Sequence, residues 1–153
     1  MEITTDSIKE LREMTGVSVM QCKKALEEAG GDLAKATVIL KKHSGASALK
    51  KAGRDLKAGA IGSYTHDGNT GAMVLLSCET DFVAKNPEFA AFARELAMQV
   101  VAMDPENTEE LLEQAFIKDA GKSVRNLLNE ATQKFGERVE ITQFAHLSSR
   151  SLL

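Results

Sequence analysis

AIGSYTHDGNTGAMVLLSC, Ala60–Cys78, decides the fold class. AIGSYT and AMVLLSC read as two strands, and HDGNTG between them is a turn rich in Asp, Gly and Asn. A hairpin at this point rules out an all-helical chain. It also asks for something to cover its apolar face, and the flanking sequence supplies candidates on both sides.

On the C-terminal side, CETDFVAKN, Cys78–Asn86, carries Phe82 and Val83 where a strand hands over to a helix. Turn chemistry there favours small and polar residues, so two large apolar side chains must be either core or a contact for something else. From position alone, Phe82 is favoured as a cap on the core under the hairpin. Asn86 as cap, Pro87 at the first helical position and Glu88 in the first turn then start a helix. Phe89, Phe92, Ala93, Leu96 and Val100 lie on one face of it, and Asp104 and Pro105 stop it. A short acidic helical piece, ENTEELLEQ, leads through AFIKDAG to a last helix. This has Val124, Leu127, Leu128, Ala131 and Phe135 in register and ends at Gly136. In VEITQFAHL, alternation puts Val139, Ile141, Ala145 and Leu147 on one side and Phe144 and His146 on the other, as expected of a third strand joining the hairpin.

On the N-terminal side, start and stop signals recur at short intervals. A Thr4, Thr5 or Ser7 cap precedes Ile8, Leu11 and Met14 at helical spacing, and Gly16 ends that helix. Ser18 and Gln21 have the spacing of a capping box, Val17 can staple against Cys22, and Cys22, Ala25, Leu26 and Ala29 form the next stripe. After Gly30 and Gly31, Asp32 caps a helix with Leu33, Ala36, Ile39 and Leu40 inward. The segment KKHSGASALKKAGRDLKAG, rich in Lys and Arg with Asp55 its sole acidic residue, reads as a solvated, partly helical linker able to steer docking. No stacking aromatic interleaves its charges, which disfavours RNA binding. The expected organisation is α+β: a three-helix module over 1–43, a basic linker over 44–59, a core of a three-stranded antiparallel sheet packed with helices over 60–147, and a tail over 148–153.

Composition narrows the function. The 153 residues, 43% of them hydrophobic, are enough for a real core. Nineteen basic against 22 acidic side chains give a net charge of −3, which disfavours a nucleic-acid partner. No apolar stretch approaches the roughly 20 residues that span a bilayer, and MEITTDSIKE is too acidic for a signal peptide, so no membrane association is expected and a cytoplasmic location is. The two cysteines, Cys22 and Cys78, lack a second thiol at metal-ligand spacing and read as reduced packing residues. A thiol nucleophile built from Cys78 and His66 has no orienting partner and puts the two at opposite ends of the hairpin. His43 and His146 are isolated, which disfavours a metal site. Neither GxxxxGK[ST] nor GxGxxG occurs, so no nucleotide cofactor is expected, and an enzyme reading has little support.

CETDFVAKN closely resembles a signature of the elongation factor Ts family, bacterial nucleotide exchange factors for elongation factor Tu. KELREMTGVSVMQCKKALEEAGGD, Lys9–Asp32, resembles that family's first signature, and the module containing it resembles the three-helix ubiquitin-associated type of fold. The likeness extends through GSYTHDGNTGAMVLLSC and LLEQAFIKDAGKSVRNLLNEATQKFGERVEITQF. Longer members carry a helical insertion, often with a second copy of the core subdomain, where this chain has only MDPENTEE. The resemblance implies no cofactor and no bond chemistry. It implies binding to GDP-bound and nucleotide-free elongation factor Tu, with Thr80, Asp81, Phe82 and Val83 pressed beside the nucleotide's magnesium site. Phe82 would enter an apolar pocket as a wedge, with Asp81 disturbing magnesium coordination and Val83 packing beside it. Lys9, Arg12, Val19 and Met20 are the docking residues it implies in the first signature, with Val19 where many members have methionine. The resemblance reverses the positional preference for a buried Phe82. It also leaves a homodimer open, since members with a single core subdomain can pair. The competing reading is an adaptor whose three-helix module binds other proteins without releasing nucleotide.

Overall fold

The computed structural model describes residues 2–152. Met1 of the expected module and Leu153 of the expected tail lie outside the described residues. The chain divides into two compact units. The first runs to Ala52 and also holds Asn129–Gly136, and the second comprises Gly53–Leu128 and the residues from Glu137 on.

In the first unit, α1 (Thr5–Thr15), α2 (Val19–Glu28) and α3 (Leu33–Lys51) start at side-chain caps. Thr4 Oγ1 accepts from the Ser7 amide while Ser7 Oγ accepts from the Thr4 amide, both at 3.1 Å, which satisfies two donors that the first turn leaves free. Ser18 and Asp32 accept from the amides of Gln21 and Lys35 at 3.3 and 3.1 Å. Leu11, Val17, Cys22, Ala25, Leu26, Ala36 and Leu40 form the buried cluster, and the Cys22 thiol donates to the Val17 carbonyl at 3.6 Å, so the expected staple is closed.

One expectation for this unit is corrected. Met14 is 60% exposed and not part of the buried stripe. The inward place beyond Leu11 is filled by Thr15, whose hydroxyl donates to the Leu11 carbonyl at 2.7 Å and lies 3.9 Å from the Cys22 sulfur, and this turns Met14 outward. The third helix runs past His43 to Lys51, so the stretch expected to be partly helical is helical over that part. Its Ala, Leu and Lys content favours helix, and Ser44 faces inward, donating to the Leu40 carbonyl and to Gln133 Oε1.

In the second unit, β1 (Ala58–His66), β2 (Thr70–Cys78) and β5 (Glu140–Ser148) form an antiparallel sheet in the order β1-β2-β5. β1 and β2 are joined by the expected turn at Asp67–Asn69, with positive φ at Asp67 and Gly68. α5 (Pro87–Met103) lies on one face, burying Phe89, Ala93, Leu96, Ala97 and Val100 against that hairpin. Its approach is set by Gly62. A Cβ at that position would stand 2.1–2.4 Å from the backbone of Ala93 and Arg94, inside any contact real atoms allow. Hydrogen alone fits between this strand and this helix.

The alternation expected for β5 holds only as far as Ile141. Leu76 pairs with Ile141 and Leu75 with Gln143, so Thr142 is an extra residue in the strand, and its hydroxyl lies 2.8 Å from that of Ser77. Beyond this bulge every side chain changes face. Val139 and Ile141 are buried, Phe144 and His146 are half-buried on the same helix-covered side, and Ala145 and Leu147 are exposed on the other. Within the second unit His146 is held at both ring nitrogens, 2.7 Å from Asp104 Oδ1 and 3.1 Å from Thr70 Oγ1.

The stretch after α5 forms α6 (Thr108–Glu113), then β3 (Ala115–Phe116) and β4 (Asp119–Ser123), a two-stranded sheet the sequence pattern did not reveal, and then α7 (Val124–Phe135). Fully buried Gln99 ties it down. Its Nε2 donates to Gln114 Oε1 and the Ala115 carbonyl at 3.1 Å each, and its Oε1 accepts from the Ile117 amide at 2.9 Å, so the buried amide group is satisfied by its neighbours.

Gly62→Ala is expected to cost at least about 3 kcal/mol, because backbone and not a flexible side chain would have to move. A urea midpoint unchanged from the parent protein would show that α5 can lift away freely.

Candidate functional site

After Cys78 the backbone of Thr80 is extended, and its Oγ1 accepts from the Val83 amide at 3.4 Å, capping a helix of one turn, α4 (Asp81–Ala84). Lys85 ends α4, and Asn86 Oδ1 accepts from the Glu88 amide at 2.9 Å to begin α5. Successive residues of a helix point about 100° apart. Val83, 6% exposed, is drawn into the core beneath β1 and β2, and Phe82 is therefore swung outward. Phe82 is 87% exposed, the most exposed large apolar side chain among the described residues. Phe82 does not cap the core. Leaving a phenyl ring in water forgoes about 1.5–3 kcal/mol of burial, and Asp81 stands beside it, also exposed.

A network of charge lies under this turn. Glu137 Oε1 accepts from the amides of Glu79 and Thr80 at 3.2 and 3.0 Å, and its Oε2 accepts from the Thr80 hydroxyl at 2.7 Å. Glu79 Oε2 accepts from the Arg138 amide at 2.6 Å and lies 3.5 Å from the Arg54 guanidinium. Arg138 donates to the Arg54 carbonyl at 2.6 Å and to Glu140 Oε1 at 3.1 Å. None of these residues stands out in the sequence, because they come from three separated segments.

Cys78 is buried and reduced, and its thiol donates to the Thr80 carbonyl at 3.3 Å. Burial first, and the negative charge of Glu137 second, push the thiol above its ordinary value of 9.0. Cys22 is raised as well, by burial, against the opposing effects of its Thr15 hydrogen bond and the Arg12 charge. His66 pairs with Thr70 while Cys78 pairs with Ala58, so the two occupy opposite ends of the hairpin and form no dyad. Among the described residues, no cluster of His, Cys, Asp or Glu could hold a metal, and no helix is long and apolar enough to cross a membrane.

The other candidates lie in the first unit. Lys9 and Arg12 are on the exposed side of α1, and Val19 and Met20, 49% and 68% exposed, form the first turn of α2. Gly16, in the left-handed conformation, ends α1 ahead of that turn, and its amide donates to the Arg12 carbonyl at 2.8 Å. Met14, which spacing had assigned to the core, adds a further exposed apolar side chain to the same unit.

The family described as elongation factor TS matches residues 79–152, beginning just before Thr80. Elongation factor Ts of Thermotoga petrophila is 40% identical over 188 aligned residues, covering 94% of this chain and 94% of the relative. The chain belongs to the elongation factor Ts family. That alignment is longer than the whole chain, so the Thermotoga member carries extra residues within the shared span. Elongation factor Ts of Trichlorobacter lovleyi is 45% identical over 150 residues, 97% of this chain. That of Aquifex aeolicus is 40% identical over 159 residues, the whole of this chain. Of these two relatives the chain spans 48% and 55%, about half their length.

Because the shift at Cys78 is upward, its thiolate fraction stays small through neutral pH. Alkylation of folded protein at about pH 8 is expected to run at least about tenfold slower than in urea, and to accelerate only above the ordinary thiol range. Rapid stoichiometric labelling of Cys78 at neutral pH would contradict a packed, protonated thiol.

Proposed function

We propose that this chain is a guanine nucleotide exchange factor for elongation factor Tu in translation elongation, working in the cytoplasm. It promotes GDP release by disturbing the magnesium and phosphate-loop contacts of the GTPase. The observation that carries the reading is the outward Phe82 on a capped turn, in a chain of the elongation factor Ts family. A ring left in water by its own protein has its burial still to gain, and a pocket in a partner supplies it. Asp81 brings a carboxylate alongside, the group that competes for a magnesium shell. Val83 contributes from beneath, as the anchor that keeps α4 on the sheet.

No covalent bond is made or broken, so the chain acts by linkage and not as an enzyme. If it binds nucleotide-free GTPase more tightly than the GDP-bound form, it must weaken GDP binding by the same factor. Burying one phenyl ring contributes on the order of 1.5–3 kcal/mol, roughly tenfold to more than a hundredfold in that ratio. Phe82 therefore supplies part of the effect, and docking supplies the rest. Lys9, Arg12, Val19 and Met20 serve that docking. The two apolar residues contribute the greater share, because exposed ion pairs are worth only about 0–1 kcal/mol each.

Stopped-flow release of a fluorescent GDP from elongation factor Tu tests the proposal. The unaltered chain is expected to accelerate release, and Phe82→Ala to slow that acceleration by about tenfold or more. Binding without accelerated release would instead support an adaptor.

A further inference from the structure

We infer that Glu137 is a positioning residue for exchange, fixing through Thr80 the direction in which Phe82 points. The inference rests on the exchange reading above and goes beyond it to a residue that touches neither nucleotide nor partner in that reading.

The argument starts from how little else orients the wedge. α4 is four residues long, far below the length at which a helix holds itself together in water. The Phe82 ring is exposed, so its direction is inherited from the backbone of that single turn. The turn in turn depends on its cap, Thr80. A hydroxyl rotates freely unless both its donor and its acceptor roles are taken. Here both are taken: Thr80 Oγ1 donates to Glu137 Oε2 at 2.7 Å and accepts from the Val83 amide at 3.4 Å. Glu137 Oε1 holds the two amides immediately upstream, those of Glu79 and Thr80. One carboxylate thus fixes the last backbone groups before α4 and the rotor that starts it. Hydrogen bonds to a charged acceptor are the stronger kind, which suits a part-exposed position.

The arrangement is reciprocal, and that argues for a device over a chance contact. While Glu137 takes the amides of Glu79 and Thr80, Glu79 takes the amide of Arg138. Two glutamates 58 residues apart each bind the backbone of the other's segment, and Arg54 and Arg138 close the network. The turn that carries Phe82 is therefore tied to the start of β5 by side-chain-to-backbone bonds on both strands of the crossing. Removing Glu137 leaves Val83 buried and α5 in place but frees the cap. The ring then samples several directions, and the cost of ordering it falls on the exchange step.

The test compares the unaltered protein with E137A and E137Q. GDP release from elongation factor Tu is measured over a range of factor concentrations, with amide hydrogen exchange and thermal melting of the free proteins alongside. E137A is expected to lower the maximal release rate about tenfold while shifting the half-saturating concentration by less than about threefold. The amides of Glu79 and Thr80 should lose protection. E137Q keeps an oxygen for those two amides and an NH2 that the Thr80 hydroxyl can accept from, so it should recover most of the lost rate. A maximal rate for E137A equal to that of the unaltered protein would overturn the positioning role and leave the exchange reading intact. Equal losses in E137A and E137Q, accompanied by a lower melting midpoint in both, would assign Glu137 to fold stability and overturn it as well. Failure of the unaltered protein to accelerate release would remove the exchange reading, and this inference with it.

Discussion

Hydrogen in place of a side chain at Gly62 lets the backbone of α5 rest directly on β1. From that contact follow the depth at which Phe89, Leu96 and Val100 are buried where α5 packs on the hairpin, and the point in space where α5 must begin. β2 ends at Cys78 and α5 begins at Pro87, so the intervening residues are a short span between two fixed supports. A span of that length has few conformations. The one adopted spends Val83 on the core and leaves Phe82 in solvent, so the same geometry that compacts the sheet and helix exposes that ring.

The polar groups near this span divide their work. Thr80 and Asn86 satisfy the amides of the two helix starts, and the Cys78 thiol satisfies the Thr80 carbonyl. Glu137 and Glu79 hold the backbone from the side. Burial first, then the charges of Glu137 and Asp81, help keep the Cys78 thiol protonated, and a protonated thiol is the form that donates to a carbonyl. At the far end of the sheet, His146 is clasped between Asp104 and Thr70, which joins the end of α5 to the sheet by a second polar link.

Features written in local chemistry were legible from the sequence: the hairpin turn, the caps at Ser18, Asp32 and Asn86, the stop at Asp104, and the inward stripe of α5. Each depends on residues within about a turn of one another. What escaped depends on residues far apart. The bulge at Thr142 exists because of its partner strand, and a bare alternation rule carried past it puts Ala145 and Leu147 on the wrong face. Met14 was misread because Thr15, a residue with no apolar signal, took the inward place by bonding to its own helix. Position alone favoured Phe82 as a cap on the core, the opposite of its outward direction, and family likeness reversed that preference. The Glu79–Glu137 exchange could not be seen at all, since two glutamates 58 residues apart in the sequence look like ordinary surface charge.

Phe82 and Val83 are neighbours on the same turn, yet the fold holds only one of them. Val83 is held by the fold itself, so any lineage that keeps the domain must keep something small and apolar there. Phe82 contributes almost nothing to the stability of the chain that carries it. Under the proposed exchange function its persistence in a population would depend on the partner alone, and the two positions would drift at different rates if that partner were lost.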